Sequence, residues 1–143
     1  MLPFVKRSST TPSSSAAPLR VLVIDDEPAI GRLLATVFDH HRVEVVISGE
    51  LGLARLREND AFDVVICDLM MPRVSGIDVY DTIAVERPGL ERRFVFISGG
   101  AFTDRSRAFL DRIPNERVDK PFTTDQLEAA MLATAAAEPA PRA

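Results

Sequence analysis

Cysteine and tryptophan are nearly absent from this sequence, which has one cysteine, Cys67, and no tryptophan among its 143 residues. One thiol cannot form an internal disulfide and lacks the spacing of a zinc site, so we expect a reducing, cytoplasmic location. Long apolar runs are also missing, since Val21–Ile24 and Phe94–Ile97 are far shorter than the roughly 20 residues of a membrane span. A Ser/Thr/Pro-rich stretch stands where a signal peptide would have its apolar region. The sequence therefore predicts no membrane contact.

The sequence also has fewer basic residues than acidic ones. The formal net charge is −4 and the sequence pI is about 5.2. A nucleic-acid surface needs a basic face to neutralise phosphates, so this balance argues against such a partner. The length favours one domain that buries a core without disulfides or a structural metal.

Low-complexity segments flank the predicted domain. Residues 8–18 read SSTTPSSSAAP and show no hydrophobic periodicity. We expect residues 1–19 to form a flexible linker and residues 138–143 to form a C-terminal tail. The domain between them is predicted to cover residues 20–137.

Short apolar runs alternate with amphipathic stretches along that domain. Runs rich in Val, Ile and Phe predict buried strands, at Val21–Ile24, Val43–Ile47, Val64–Cys67 and Phe94–Ile97. A weaker fifth strand is placed at Glu116–Val118 from the rhythm of the chain. Helical spacing of apolar residues begins at Ile30, Ile77 and Leu127. The pattern predicts an α/β fold of the doubly wound, flavodoxin-like (βα)₅ kind, with five parallel strands and helices on both faces.

Polar residues follow four of these predicted strands: Asp25 and Asp26, then Asp68, Ser98 and Lys120. The carboxyl ends of parallel strands meet at one edge of a sheet, where ligands bind. Each residue alone has a plain explanation, such as a helix N-cap or a solvent-facing side chain. Together, three clustered carboxylates predict a cation site, and oxygen-only ligands suit Mg²⁺ better than zinc or copper.

Four segments resemble the receiver domains of two-component response regulators. They are VLVIDDEP at Val21–Pro28, CDLMMPRVSG at Cys67–Gly76, FISGG ending at Gly100, and DKPF at Asp119–Phe122. Their order and spacing match the family from about residue 20 to residue 136. The resemblance implies a phosphoacceptor domain that takes a phosphoryl group from a histidine kinase or a histidine phosphotransfer protein.

The resemblance also implies a role for each site residue. Asp68 would be the nucleophile, and Ser98 and Lys120 would contact the phosphoryl oxygens. The metal ligands would be Asp26 directly, Asp25 through water, Asp68, and the backbone carbonyl of Met70, with Mg²⁺ as the cofactor. The Lys120–Pro121 bond would be cis, as in the family. Arg117 departs from the pattern, because the family usually places an aromatic switch residue there.

Several alternatives stay open from the sequence. One is a phosphatase of the haloacid dehalogenase type, which would need an acid where this chain has Met70. Another is a receiver-shaped binding module that is never phosphorylated, which would not need the acidic pair. Enzyme activity is expected only as self-phosphorylation and dephosphorylation. Leu2–Val5, the linker and the SGGAFT segment favour a monomeric C-terminal receiver of a hybrid histidine kinase. The alternative is a free-standing regulator that binds a protein target when phosphorylated.

Some reactive-looking residues are expected to be structural. Cys67 should pack in the core, because its side chain alternates with that of Asp68 along the strand. His40 and His41 should lie at the end of the first helix, where their charge suits the helix dipole. The arginines at positions 105, 107 and 112 should form a solvated helix face.

Overall fold

A computed structural model describes residues 18–99 and 103–138 of the chain. The strands are β1 (Arg20–Ile24), β2 (Arg42–Val46), β3 (Val64–Asp68), β4 (Phe94–Ser98) and β5 (Arg117–Asp119). The helices are α1 (Pro28–Val37), α2 (Gly49–Glu58), α3 (Gly76–Glu86), α4 (Asp104–Arg112) and α5 (Thr124–Ala137), and a 3₁₀ helix, Leu90–Arg93, precedes β4. The predicted linker falls almost entirely on residues 1–17 and the predicted tail on 139–143, outside the described residues. The division of the chain into linker, domain and tail therefore stays a prediction.

All five strands form one parallel sheet in the order β2-β1-β3-β4-β5. The order reverses between β1 and β3, because the chain first builds outward to β2 and then crosses back. The predicted doubly wound (βα)₅ fold is confirmed. A crevice at the carboxyl ends of the strands is expected at such a reversal.

The sheet separates two hydrophobic cores. Alternate strand residues face opposite sides, so Val23 and Ile66 pack with Leu34 of α1 and Leu127 of α5. On the other face, residues such as Leu22 and Phe96 pack with side chains from α2, α3 and α4. Helices cover both faces, which is why the central strands read as unbroken apolar runs.

Helix starts follow from local sequence. Pro28 lies in the first turn of α1, where no N–H partner is required. Ser48 caps α2 with its hydroxyl. Ser75 and Thr123 each form a capping box with the residue three positions later, at the start of α3 and α5. Of the two adjacent threonines before α5, Thr123 is the cap and Thr124 is the first helical residue.

The two edge strands differ from the central ones. β2 is only partly buried along its length, and Val45 is 37% exposed. β5 has three residues, of which Val118 alone is buried. Its bounds are shifted by one residue from the predicted 116–118. Short or partly polar edges of this kind oppose pairing with another sheet.

Candidate functional site

Three aspartates meet at the carboxyl edge of the sheet. Asp25 and Asp26 follow β1, and Asp68 is the last residue of β3, the neighbouring strand. One carboxylate oxygen from each lies within 4.8 Å of the others. The structure thus brings together the three acids that the sequence placed at separate strand ends.

Burial makes this acidic cluster energetically costly. Asp25 is 0% exposed and Asp68 is 5% exposed. The pKa of Asp68 is raised to about 7, first by burial and then by the charge of Asp25, although Lys120 acts in the opposite direction. Burial raises the pKa of Asp25 as well, against the hydrogen bond it accepts from the Glu27 N–H. Acids kept together at this cost are typical of a functional site.

The two oxygens of Asp25 differ in their hydrogen bonding. Its Oδ1 accepts a bond of 2.9 Å from the Glu27 backbone N–H. Among the described residues, its buried Oδ2 has none. A buried acceptor without a donor is costly, and a bound cation or its water would satisfy it. Together with the carboxylates of Asp26 and Asp68, this oxygen fits the hard-ligand set that Mg²⁺ prefers.

The loop after Asp68 turns tightly back onto that strand. The Met70 N–H donates to Asp68 Oδ1 at 3.3 Å, and the Gly76 N–H donates to the Leu69 carbonyl at 2.9 Å. A Cβ on Gly76 would lie 2.4 Å from the Asp68 carbonyl oxygen, which only glycine avoids. The geometry explains why glycine follows the Met-Pro turn. The role of the Met70 carbonyl as a ligand stays a prediction.

Ser98 and Lys120 border the acidic cluster from β4 and the end of β5. Ser98 ends β4 and is 2% exposed. The Lys120 N–H donates to the Ser98 carbonyl at 2.8 Å, which fixes the two residues side by side. The Lys120 charge lies near enough to lower the pKa of both Asp25 and Asp68. The Lys120–Pro121 bond is cis, as the resemblance implied.

Glu27 is a site neighbour that the sequence reasoning missed. Its Oε1 lies 3.1 Å from Lys120 Nζ, across 93 positions of sequence. Burial lowers the pKa of Lys120, but the hydrogen bond to Glu27 and the charges of Asp68 and Asp25 outweigh burial and raise it overall. The lysine is therefore held as a cation by a carboxylate outside the three-aspartate cluster. The available signal was the position of Glu27 directly after the acidic pair.

The residues predicted to be structural are placed as expected. Cys67 is fully buried in the core beside α3 and α4, and burial raises the pKa of its thiol. Arg105 and Arg112 are exposed and pair with Asp78 and Asp81 of α3. Arg117, which stands where the family has an aromatic, is exposed on β5.

A second group of possible metal ligands consists of His40, His41 and Glu128. The histidines follow α1, as expected, and His40 Nε2 lies 3.1 Å from Glu128 Oε2. The Leu19 N–H, however, donates to His41 Nδ1 at 3.0 Å, so the neutral ring carries its proton on Nε2. A protonated Nε2 cannot bind a metal, which leaves only two usable ligands. The group links the turn after α1 to α5 and is not a metal site.

Comparison with known proteins identifies the family to which this fold belongs. A family model described as the response regulator receiver domain matches residues 21–132. The chain belongs to this family, and it is a receiver domain of the two-component response regulators. The doubly wound sheet, the acidic cluster and the Lys-Pro pair agree with that assignment.

The match to this chain covers only part of the length of each of these relatives. The chain is 33% identical to the transcriptional regulatory protein TcrA of Mycobacterium tuberculosis, over 87% of the chain and 49% of TcrA. It is 41% identical to the virulence sensor protein BvgS of Bordetella pertussis, over 64% of the chain and 8% of BvgS. The chain therefore spans about half the length of the curated regulators that it matches, and less of the sensor proteins.

A solved structure confirms the fold. The crystal structure of a response regulator receiver domain protein from Clostridium thermocellum matches with a TM-score of 0.74 and 27% identity, over 83% of this chain and 95% of that one. Receiver domains interact with histidine kinases or phosphotransfer proteins and bind Mg²⁺ at an acidic pocket. No helix within residues 18–99 and 103–138 has the length and apolar character of a transmembrane span.

Proposed function

We propose that Asp68 of this receiver domain accepts a phosphoryl group from a phosphorylated histidine of a kinase or phosphotransfer protein. The observation that carries the proposal is the buried cluster of Asp25, Asp26 and Asp68, bordered by Lys120, at the carboxyl edge of the sheet. A structural role does not account for three carboxylates held this close. A phosphatase role is disfavoured, because Met70 stands where that class needs an acid.

The transfer step is a substitution at phosphorus. An oxygen of the ionised Asp68 carboxylate attacks, and a new P–O bond forms as the P–N bond to the donor imidazole breaks. The electron pair of that bond leaves with the imidazole nitrogen, which takes a proton from solvent as needed. The product is an acyl phosphate on Asp68, and its hydrolysis by water returns inorganic phosphate and the free carboxylate.

Four residues would hold Mg²⁺ for this step. Asp26 and Asp68 would bind it directly, Asp25 through water, and Met70 through its carbonyl. When bound, Mg²⁺ supplies positive charge that offsets the carboxylates and the phosphoryl oxygens. The unsatisfied Oδ2 of Asp25 supports its place in this set.

Lys120 and Ser98 would receive the transferred group. The Lys120 ammonium supplies a mobile positive charge, and the Ser98 hydroxyl supplies a short donor fixed at the end of a buried strand. The Ser98 hydroxyl would be placed in advance at the position where charge develops and would stabilise that charge without reorganisation. Both residues are therefore expected to act on the phosphoryl group and not on the metal.

The proposal is tested with the unmodified chain and a small phosphodonor such as phosphoramidate. With Mg²⁺ present, intact-mass spectrometry should show one added phosphoryl group per chain, and EDTA should prevent the addition. Beryllofluoride should bind under the same conditions. Absence of any Mg²⁺-dependent modification would contradict the proposal, and rapid turnover of a phosphomonoester would indicate a phosphatase instead.

We further propose that the domain serves a phosphorelay, as a monomeric, cytoplasmic receiver of a hybrid histidine kinase. Arg117, which replaces the family's aromatic switch, supports this reading, because its exposed side chain leaves β5 without the ring that usually moves inward. The similarity to the sensor protein BvgS agrees with it. The similarity to the regulator TcrA supports the alternative, a regulator that binds its own target.

The relay reading predicts a small structural response. Adding Mg²⁺ and beryllofluoride should shift NMR signals close to Asp68, produce only a small response around residues 101–122, and leave the solution mass that of a monomer. The Asp68→Asn variant, which cannot form the beryllofluoride adduct, gives the baseline. Wide shifts over that surface, or a dimer, would favour the free-standing regulator.

A further inference from the structure

The side chain of Lys120 already forms an ion pair in the structure. Its Nζ lies 3.1 Å from Oε1 of Glu27, and Glu27 belongs to neither the three-aspartate cluster nor the set of metal ligands. Glu27 lies directly before α1, whereas Lys120 follows β5. The contact therefore bridges the site from one side to the other.

The partner of Lys120 matters because the anions around one ammonium share its positive charge. A contact from Lys120 to a phosphoryl oxygen on Asp68 would therefore compete with its bond to Glu27. An incoming phosphoryl group is negative as well, so it must compete with the Glu27 carboxylate for the lysine, and this competition opposes its arrival.

We propose that Glu27 is a positioning residue that restrains Lys120 and thereby slows phosphoryl transfer to Asp68. This inference rests on the proposed function of Asp68. Glu27 does not touch the reacting atoms, and it acts by competing with the phosphoryl group for the lysine. The restraint changes the rate at which Asp68 is phosphorylated, and it does not decide whether phosphorylation occurs.

The expected size of the effect follows from the exposure of the pair. The side chains of Lys120 and Glu27 are 29% and 62% exposed. Exposed ion pairs contribute little free energy, so breaking this one should raise the labelling rate about two- to five-fold. The same change should tighten beryllofluoride binding by a similar factor, because the adduct uses the released lysine.

Glu27→Gln is the test variant, measured with phosphoramidate and Mg²⁺ beside the unmodified chain. Glu50→Gln is the matched control: Glu50 lies at the start of α2, at the same carboxyl edge of the sheet, and its exposed ion pair is with Arg73. The control removes the same charge but leaves Lys120 untouched, so its labelling rate should not change. Because the Glu27 side chain is largely exposed, Glu27→Gln is expected to fold as the unmodified chain does. Circular dichroism verifies this.

A second background separates the lysine from a general charge effect. In Lys120→Gln, where no ammonium remains to be released, adding Glu27→Gln should leave the labelling rate unchanged. An unchanged rate in Glu27→Gln alone, or an equal gain in Glu50→Gln or in the Lys120→Gln background, overturns the inference. Failure of the unmodified chain to be labelled overturns the proposed function, and the inference with it.

Discussion

Replacing Asp68 with Asn is expected to abolish phosphoryl labelling of the chain. Asn has nearly the same shape, so the β3 end and its loop should persist, but its amide nitrogen and neutral oxygen cannot act as the nucleophile. Asp25 and Asp26 follow a different strand and are the proposed metal ligands. Neither is therefore expected to replace Asp68 as the phosphoacceptor. Intact-mass spectrometry with phosphoramidate and Mg²⁺ measures the loss directly.

A matched variant controls for charge at the same edge of the sheet. Asp119 ends β5, pairs in register with Ser98, and is exposed. Asp119→Asn removes one negative charge there without touching the proposed nucleophile, and it should be labelled as the unmodified chain is. Labelling of Asp68→Asn at an undiminished rate would show that another residue is the acceptor.

Without metal, the protein is expected to lose stability as the pH rises from about 4 to about 7. The unfolded chain releases the Asp68 proton near the ordinary aspartate pKa of 3.8, whereas burial raises the pKa in the folded chain to about 7. The folded state thus binds more protons in this window, so the free energy of unfolding falls as pH increases. At about 1.4 kcal/mol per pKa unit, the loss reaches at most roughly 4 kcal/mol and is complete above about pH 7.

Denaturant unfolding in EDTA across this range measures the effect. Asp68→Asn should remove most of the pH dependence and be the more stable protein at about pH 8, since it lacks the buried charge of Asp68. Mg²⁺ should restore stability to the unmodified chain at that pH, because it binds only the folded cluster. Equal pH dependence in both proteins would contradict the assignment of the raised pKa to Asp68.

The sequence predicts the central part of this fold well because its signals are local. Val21–Ile24 and Phe94–Ile97 read as unbroken apolar runs, since both of their faces are covered by helices. The polar residues that follow such runs could be assigned to one edge of the sheet from topology alone. That reasoning was sufficient to bring Asp25 and Asp68 together.

Features that depend on side-chain packing could not be predicted this way. Helix α2 buries Gly49, Gly52 and Leu56, and two of these three positions carry no hydrophobic signal. Glycine is needed at position 49 because a Cβ there would lie 2.4 Å from the Val74 carbonyl oxygen, and a Cβ at Gly52 would lie 2.6 Å from the end of the Ile24 side chain. The Glu27–Lys120 contact likewise depends on two rotamers that meet across the site, which no spacing in the sequence encodes.

The aromatic packing under β4 gives this protein a built-in spectroscopic reporter. Tyr80 is the sole tyrosine, and the sequence has no tryptophan, so emission excited at wavelengths longer than phenylalanine absorbs comes from one ring. That ring contacts Phe109 of α4 edge-on at 5.2 Å between centroids, and its hydroxyl lies 3.3 Å from Asn115. Its fluorescence therefore reports on the packing of α3 against α4 without any label. The same measurement can follow, in real time, whether phosphorylation of Asp68 changes the packing on that side of the sheet.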